Sequence, residues 1–253
     1  MNILGIDTCF NACSVAVRFE RPGVAQTVWG EQRLMTTGHA EQLMPMIDRV
    51  MRSAGMAFAD IERIAVTHGP GTFTGTRISV AAARALSLAL RVPVVGFSSL
   101  RAIGMLAIER IPDCSGDRDA VLVVRDARRD ECYAEVVDVR GASLTGPLLL
   151  SAQAAAALCP GYRLFAVGTM ADQVAEAGRD RGRHIVAGFE GCFLPEHAEP
   201  DIARVIGLAQ LAAPLDALVR PLYLRPPDAK PQDGKSIPRA ATACTAIRPT
   251  SET

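Results

Sequence analysis

The sequence predicts an α/β fold built from two similarly ordered halves, and three observations carry that expectation. Short apolar strands alternate with helical stretches from about residue 39 onward, which requires at least a partly parallel sheet. Each half opens with a strand, a turn and a second strand before its helices begin. A glycine-rich loop then joins a strand to a long helix in the first half. The 253-residue chain suits one large domain or two small ones. The halves share element order without measurable sequence repetition, the pattern of a duplicated fold.

In order along the chain, Ile3-Leu4-Gly5-Ile6 is a strand that ends at Asp7-Thr8. After the turn Cys9 to Ala12, Cys13 to Val17 alternates and leads into Arg18-Phe19, and residues 24–29 make a third strand. A helix is expected from His39 to Ala54, with Leu43, Ile47, Val50 and Ala54 on one stripe, Met44 and Met51 beside it, and Gly55 as its stop. Pro45 sits early, where a missing N–H costs least. Ile64 to Thr67 is a strand, Gly69 to Gly75 a loop, Arg77 to Leu90 a helix, Pro93 to Phe97 a strand and 99–109 a helix. The polar stretch Pro112 to Asp119 joins a second unit. That unit runs through strands at Ala120 to Val124, Cys132 to Val139 and Leu144 to Leu150, then a helix near 151–158, a strand at Leu164 to Val167 and a helix near 201–213. After Arg225 the chain has five prolines and few large apolar side chains, so residues 226–253 are expected to be a disordered tail.

Composition removes several function classes. Twenty-seven basic and 27 acidic side chains cancel, so the strong basic field of a protein that grips nucleic acid alone is missing. No apolar stretch approaches the ~20 residues that span a bilayer, and no basic segment precedes an apolar one at the start, which argues against membrane anchoring and secretion. Seven cysteines without a CxxC pair read as reduced thiols in a cytosol. Only Lys230 and Lys235 are lysines, which with so much Ala reflects a GC-rich genome rather than chemistry.

Two segments carry candidate chemistry. The turn at Asp7-Thr8 can hold phosphate on backbone amides and hydroxyls, with the acid placing Mg²⁺. The alternative is an ordinary hairpin whose polar side chains bond their own turn, and the local sequence favours it. Gly69-Pro70-Gly71-Thr72-Phe73-Thr74-Gly75-Thr76-Arg77 is the most distinctive segment. Lying between strand and helix, it suits an anion at the helix N-terminus. It lacks both the GK[ST] ending and the GxGxxG order, and a tight turn packed backbone to backbone explains it equally well. Asp7, Thr8, Gly71 and Gly75 are therefore the candidates for a degenerate phosphate loop. Ala81, Ala85 and Ala89, with Ala82, would let another helix approach the following helix closely, within the fold or across an interface.

Metal binding is poor on spacing, since His39, His68, His184 and His197 never fall at i, i+4. Ser98-Ser99 has no G-x-S-x-G around it and reads as a helix cap. Asp126-Ala127-Arg128-Arg129-Asp130-Glu131 is a charged turn, most simply a solvated hairpin tip.

Taken together, the Ile3–Thr8 and Cys13–Val17 strands, His39 to Asp48, Gly69 to Ile78, Asp126 to Arg129 and Pro221-Leu222-Tyr223-Leu224-Arg225 resemble the TsaB (YeaZ) family. The resemblance spans residues 1 to about 225, and the glycine-rich segment is its most specific part. It implies an actin-like, sugar-kinase-like (ASKHA) fold of two RNase H-like lobes, at residues 1–111 and 112–225. It also implies cytoplasmic work in transferring threonylcarbamoyl to N6 of adenosine 37 in tRNAs reading codons that start with A. The implied partners are a TsaD-type catalytic subunit and a TsaE-type ATPase, with tRNA met only through the complex.

Departures from the catalytic relatives imply a pseudo-enzyme with no catalytic residue, metal or cofactor, weak nucleotide binding apart. TsaD-type chains carry an HxxxH pair after the strand matching 93–97, where this chain reads Ser98-Ser99-Leu100-Arg101-Ala102-Ile103-Gly104. Their second hairpin has a glycine-rich turn, where this chain has Asp126-Ala127-Arg128-Arg129. Cys9 also stands where the TsaB pattern has serine. The expected partner surface is Leu43, Met44, Ile47, Val50 and Met51 on the first helix with Ile78, Ala82 and Ala85 on the second; Met44, Met46 and Met51 suit such a surface as adaptable thioethers, and filling this chain's own core explains each of them equally well. The same face would support a homodimer. A different class of reading is an active ATP-dependent phosphotransferase of the actin-like superfamily, which the missing second phosphate loop opposes. A metallopeptidase reading fails on the absent histidine pair.

Overall fold

The computed structural model describes residues 1–21, 24–187, 199–212 and 218–225, so the 226–253 tail lies outside the described residues. The first lobe contains β1 (Ile3–Asp7), β2 (Ala12–Arg21), β3 (Val24–Leu34), α1 (His39–Ser53), β4 (Arg63–Thr67), α2 (Phe73–Leu90), β5 (Val94–Phe97) and α3 (Ser99–Arg110). The second half contains β6 (Asp119–Asp126), β7 (Glu131–Asp138), β8 (Leu148–Ser151), α4 (Ala152–Ala155), β9 (Arg163–Val167), α5 (Ala171–Arg179), β10 (Ile185–Val186) and α6 (Ile202–Leu211). The sheets run β3-β2-β1-β4-β5 and β10-β9-β6-β7-β8, one topology used twice. In both, an antiparallel hairpin joins two parallel strands, as expected of paired RNase H-like lobes.

Strand periodicity sorts the core into layers. Leu4, Ile6, Val15, Val17, Ile64 and Val66 face outward onto α1 and α2. Ile3, Ala16, Ala65, Val95 and Phe97 face inward onto Ile202, Val205, Ile206 and Ala209 of α6. In the second sheet Ala120, Leu122 and Val124 face α4 and α5, while Val121 and Val123 meet Leu100, Ile103 and Ala107 of α3. Each inner face is thus closed by the helix that follows the other sheet in the chain. The sequence reading gave the 201–213 helix to the second unit; it lies on β1, β2 and β4 instead. Contact is close, since a Cβ on Gly5 would stand 2.8 Å from Ile202 and Ile206, and one on Gly104 2.9 Å from Val137.

Several boundaries differ from expectation. Strand β3 runs to Leu34, and α2 begins at Phe73, with Thr72 capping it through Gly75 N at 3.1 Å. Helix α5 was not expected, because its buried side is Val174, Ala175, Ala177 and Gly178, too small a set for a clear apolar stripe. The partner surface needs correction. Leu43, Ile47, Val50, Met51 and Met46 are all 0–2% exposed and fill the first lobe's own core. An apolar stripe at helical spacing marks the buried side, and here the burying surface is this chain's own sheet.

Truncating Leu43 to Ala is expected to cost about 2–5 kcal/mol of stability, read as a lower urea midpoint. Loss of partner binding at unchanged stability would return Leu43 to an interface.

Candidate functional site

The first hairpin and the glycine-rich loop meet at the inner end of β1. Asp7 is fully buried. Its Oδ1 accepts from Cys9 N at 3.2 Å and from Thr67 Oγ1 in a short hydrogen bond, while Oδ2 has no partner among the described residues. Burial pushes the Asp7 carboxyl up to about 7, against the pull of the Thr67 and Cys9 hydrogen bonds; nearby Glu199 adds to the rise. Thr8 Oγ1 donates to Gly75 O at 2.6 Å, and Thr72 N donates to Cys9 O at 2.7 Å. A Cβ on Gly71 would stand 2.2 Å from Cys9 O, and one on Gly75 2.0 Å from Thr8 O. The structure therefore brings Asp7, Thr8, Gly71 and Gly75 together. It spends both glycines on backbone contact with the hairpin, which favours the tight-turn alternative over an anion cradle.

Polar side chains pin this corner to the second half. Buried Glu199, just before α6, accepts from Arg125 Nη2 on β6 at 3.0 Å and from Asn11 N in the first hairpin at 2.9 Å. The Arg125 guanidinium carbon lies 4.4 Å from the Phe10 ring centroid. Ser98 Oγ caps α3 through Leu100 N and Arg101 N and donates to buried Glu135 Oε2 on β7 at 2.5 Å. Burial raises the Glu135 carboxyl above the ordinary range, with Ser143 and Ser98 opposing.

The second hairpin tip is exposed, as its charge suggested. Arg128, Arg129 and Asp130 hold φ of 64°, 59° and 57°, consecutive left-handed residues without a glycine. Asp126 Oδ1 accepts Arg128 N at 2.7 Å and fixes the turn. Segment 218–225 runs along this side as a strap. Leu222 N donates to His68 O at 2.7 Å, and Arg225 Nη2 reaches Glu131 Oε2 at 2.5 Å and Arg128 O at 3.2 Å.

On the outer face, Ala81, Ala85 and Ala89 of α2 are exposed, and Ile78 and Ala82 are half-buried at the flank of the core. Met44 on α1 is 48% exposed and Leu88 on α2 is 82% exposed. Leu88 was missed in the sequence because it falls off the alanine row. His39 Nε2 lies 3.1 Å from Phe10 O, and burial lowers the His68 pKa. Among the described residues no three His, Cys, Asp or Glu side chains gather as metal ligands, and Cys9, Cys13, Cys114, Cys132 and Cys159 are free thiols. No helix among the described residues is long and apolar enough to cross a membrane.

A family model described as TsaD: tRNA N6-adenosine threonylcarbamoyltransferase matches residues 33–172, from β3 into α5. TsaB of Escherichia coli K12 is 33% identical over 133 residues, 53% of each chain. YeaZ of Pseudomonas aeruginosa superposes with a TM-score of 0.65 at 25% identity, covering 83% of this chain and 90% of that one. The chain belongs to the TsaB (YeaZ) family. An uncharacterised Mycobacterium tuberculosis protein is 34% identical over 233 residues, 90% of this chain and 94% of its own. A second Pseudomonas aeruginosa structure, described as similar to peptidase YeaZ, gives a TM-score of 0.69 at 26% identity over 88% of this chain and 99% of that one. With the doubled sheet topology, these likenesses establish the actin-like, sugar-kinase-like fold. Where the TsaB pattern has serine, Cys9 Sγ sits 3.3 Å from Thr67 Oγ1, and burial pushes its thiol pKa up. Cys9 so placed is packing, not a nucleophile.

Two tests follow from this corner. Gly75→Ala is expected to lose about 1–3 kcal/mol or more, whereas Gly207→Ala, with open space around its Cβ in α6, gains about 0.5–1 kcal/mol. Chemical denaturation of both variants checks the pair. Asp7 rises from 3.8 unfolded to about 7 folded, so folding takes up a proton between those values. Stability therefore falls as pH rises through that window and levels off above it. The melting temperature should drop more from pH 5 to 8 in the wild type than in Asp7→Asn. His68 slopes the opposite way and Glu135 the same way in both proteins, so both cancel in the comparison. Equal drops would refute the Asp7 assignment.

Proposed function

We propose that this chain acts in the biosynthesis of threonylcarbamoyladenosine in tRNA as a non-catalytic subunit. It docks a TsaD-type catalytic partner on the outer face of α1 and α2. The observation that carries the pairing is the bare row of Ala81, Ala85 and Ala89 beside exposed Leu88. Small side chains let a partner helix approach closely, and an apolar helix face on a soluble surface is stabilised when covered. Met44 supplies an adaptable contact on α1. The buried members of the earlier list support this face from beneath and do not touch the partner.

Two features support the absence of catalysis. The glycine-rich loop is closed on the first hairpin by contacts that leave no room for a Cβ at Gly71 or Gly75. In the second hairpin, Arg128 and Arg129 stand at left-handed turn positions where a phosphate loop would use glycine and bare backbone. A TsaE-type ATPase completes the proposed machinery, and the α2 face would pair two copies of this chain when no partner is present.

Ala85→Glu combined with Leu88→Glu is expected to weaken pull-down of the TsaD-type subunit by about tenfold or more, ~1.4 kcal/mol, while the melting temperature holds. In a reconstituted tRNA modification assay, product should require this chain and survive Asp7→Asn. Normal pull-down by the double variant would sink the interface. Tight Mg-ATP binding by the isolated chain, measured by calorimetry, would sink the non-catalytic reading.

A further inference from the structure

At the start of α2 a cationic and aromatic cluster stands on the surface. The rings of Phe73 and Tyr223 lie 5.3 Å apart, tilted by 31°, and are 54% and 44% exposed. The Arg77 guanidinium carbon sits 3.7 Å from the Phe73 centroid and 5.8 Å from that of Tyr223, and its Nε donates to the Tyr223 hydroxyl at 2.7 Å. Two residues further on, Arg225 touches the carbonyl of Arg128. The strap thereby makes one continuous ledge from the first lobe to the second hairpin tip, where Arg128 and Arg129 are exposed.

We propose that this ledge binds RNA, with Phe73 and Tyr223 stacking unpaired bases and Arg77, Arg128 and Arg129 meeting phosphates. Exposed rings beside guanidinium groups are the elements of a single-strand platform, since every base has a face to stack and every nucleotide a charge to neutralise. The geometry is pre-set. Arg77 is held by its ring contact and its hydrogen bond, so little side-chain freedom is lost on binding. Of the local acids, Glu131 pairs with Arg225 and Asp126 caps its own turn, while Asp130 stands exposed at the tip; against these three, Arg77, Arg128, Arg129 and Arg225 leave a small net positive charge. The ledge is basic on a chain whose net charge is zero, so its contribution is local and adds to that of a partner.

The inference rests on the proposed tRNA-modifying role for the identity of the RNA, and its test separates the two. In the complex with a TsaD-type subunit, the Arg128→Gln/Arg129→Gln variant and Tyr223→Ala should assemble normally and bind tRNA about tenfold more weakly by fluorescence anisotropy. The double variant should also lower the salt slope by roughly 1.4 to 1.8 for two lost phosphate contacts. Tyr223→Phe, which keeps the ring, should bind like wild type. Unchanged tRNA affinity in the assembled variants overturns the ledge. Weakened assembly with unchanged tRNA affinity makes it a protein contact and overturns it too. If the wild-type chain does not assemble with that subunit, the scaffold reading fails. Anisotropy of the isolated chain with tRNA at low salt, wild type against the double variant, then decides the ledge by itself.

Discussion

Everything else in this structure depends on the exchange of helices between its two sheets. Helix α6 follows the second sheet in the chain and covers the first; α3 follows the first and covers the second. Ile202, Val205, Ile206 and Ala209 are all buried in this way. The three larger side chains contribute about 1.5–3 kcal/mol each as an upper estimate. That sum is comparable to the whole stability of a domain. Neither lobe can leave the other without exposing an inner face, so the halves form a single cooperative body. The Glu199–Arg125 and Ser98–Glu135 contacts cross the same boundary. Buried pairs of this kind add little over an apolar substitute but cost several kcal/mol when one member is removed, ~3–5 kcal/mol for an ion pair. They fix the register of the lobes.

That rigidity bears on where the proposed binding surfaces lie. Ligand clefts are commonest between domains, and such a cleft must be open to be filled. Here the corner where phosphate would sit is closed by backbone contacts at Gly71 and Gly75, and the strap ties Arg225 to the second hairpin across the same side. A body held shut at its cleft offers its outer surfaces. The outer surfaces carry the unusual features: an alanine row on α2, and exposed rings with arginines at its start.

The sequence was informative about elements and poor about destinations. Alternation marked only β2; β1 and β6, buried on both faces, read as short continuous apolar runs, and their shortness and flanking turns marked them as strands. The apolar side of α6 was equally visible, but amphipathicity says that a face is buried, not which sheet buries it. For the same reason Leu43, Ile47, Val50 and Met51 looked like an interface and proved to be core. The glycine-rich segment stood out, yet its two readings differ only in what approaches the backbone, and that is a tertiary fact. Asp7 was singled out as an acid at a strand end; the burial that raises its pKa is a tertiary fact, with Thr67 and Glu199 arriving from distant parts of the chain, the first opposing the rise and the second adding to it. Tyr223 and Arg225 were legible as a closing motif, but their partners on α2 and the second hairpin were not.

The strained hairpin tip shows how the strap and α2 act as one part. Left-handed non-glycine residues cost about 1–2 kcal/mol each, and three in succession persist only where surroundings over-determine them. Asp126 supplies one constraint from within the turn, and Arg225 supplies another from the strap. The strap is in turn fixed to Arg77 on α2 through Tyr223. The backbone carbonyl of Arg128 is thereby linked through the strap to a helix in the other lobe. Helix α2 also carries the alanine row, and the 16 residues from Phe73 to Leu88 span ~22 Å at a rise of about 1.5 Å per step. A partner seated on Leu88 and an RNA seated on Phe73 would be held at that separation by an unbroken helix. On the proposed reading the chain's contribution would be geometric: it would fix the distance between what the two ends of α2 bind.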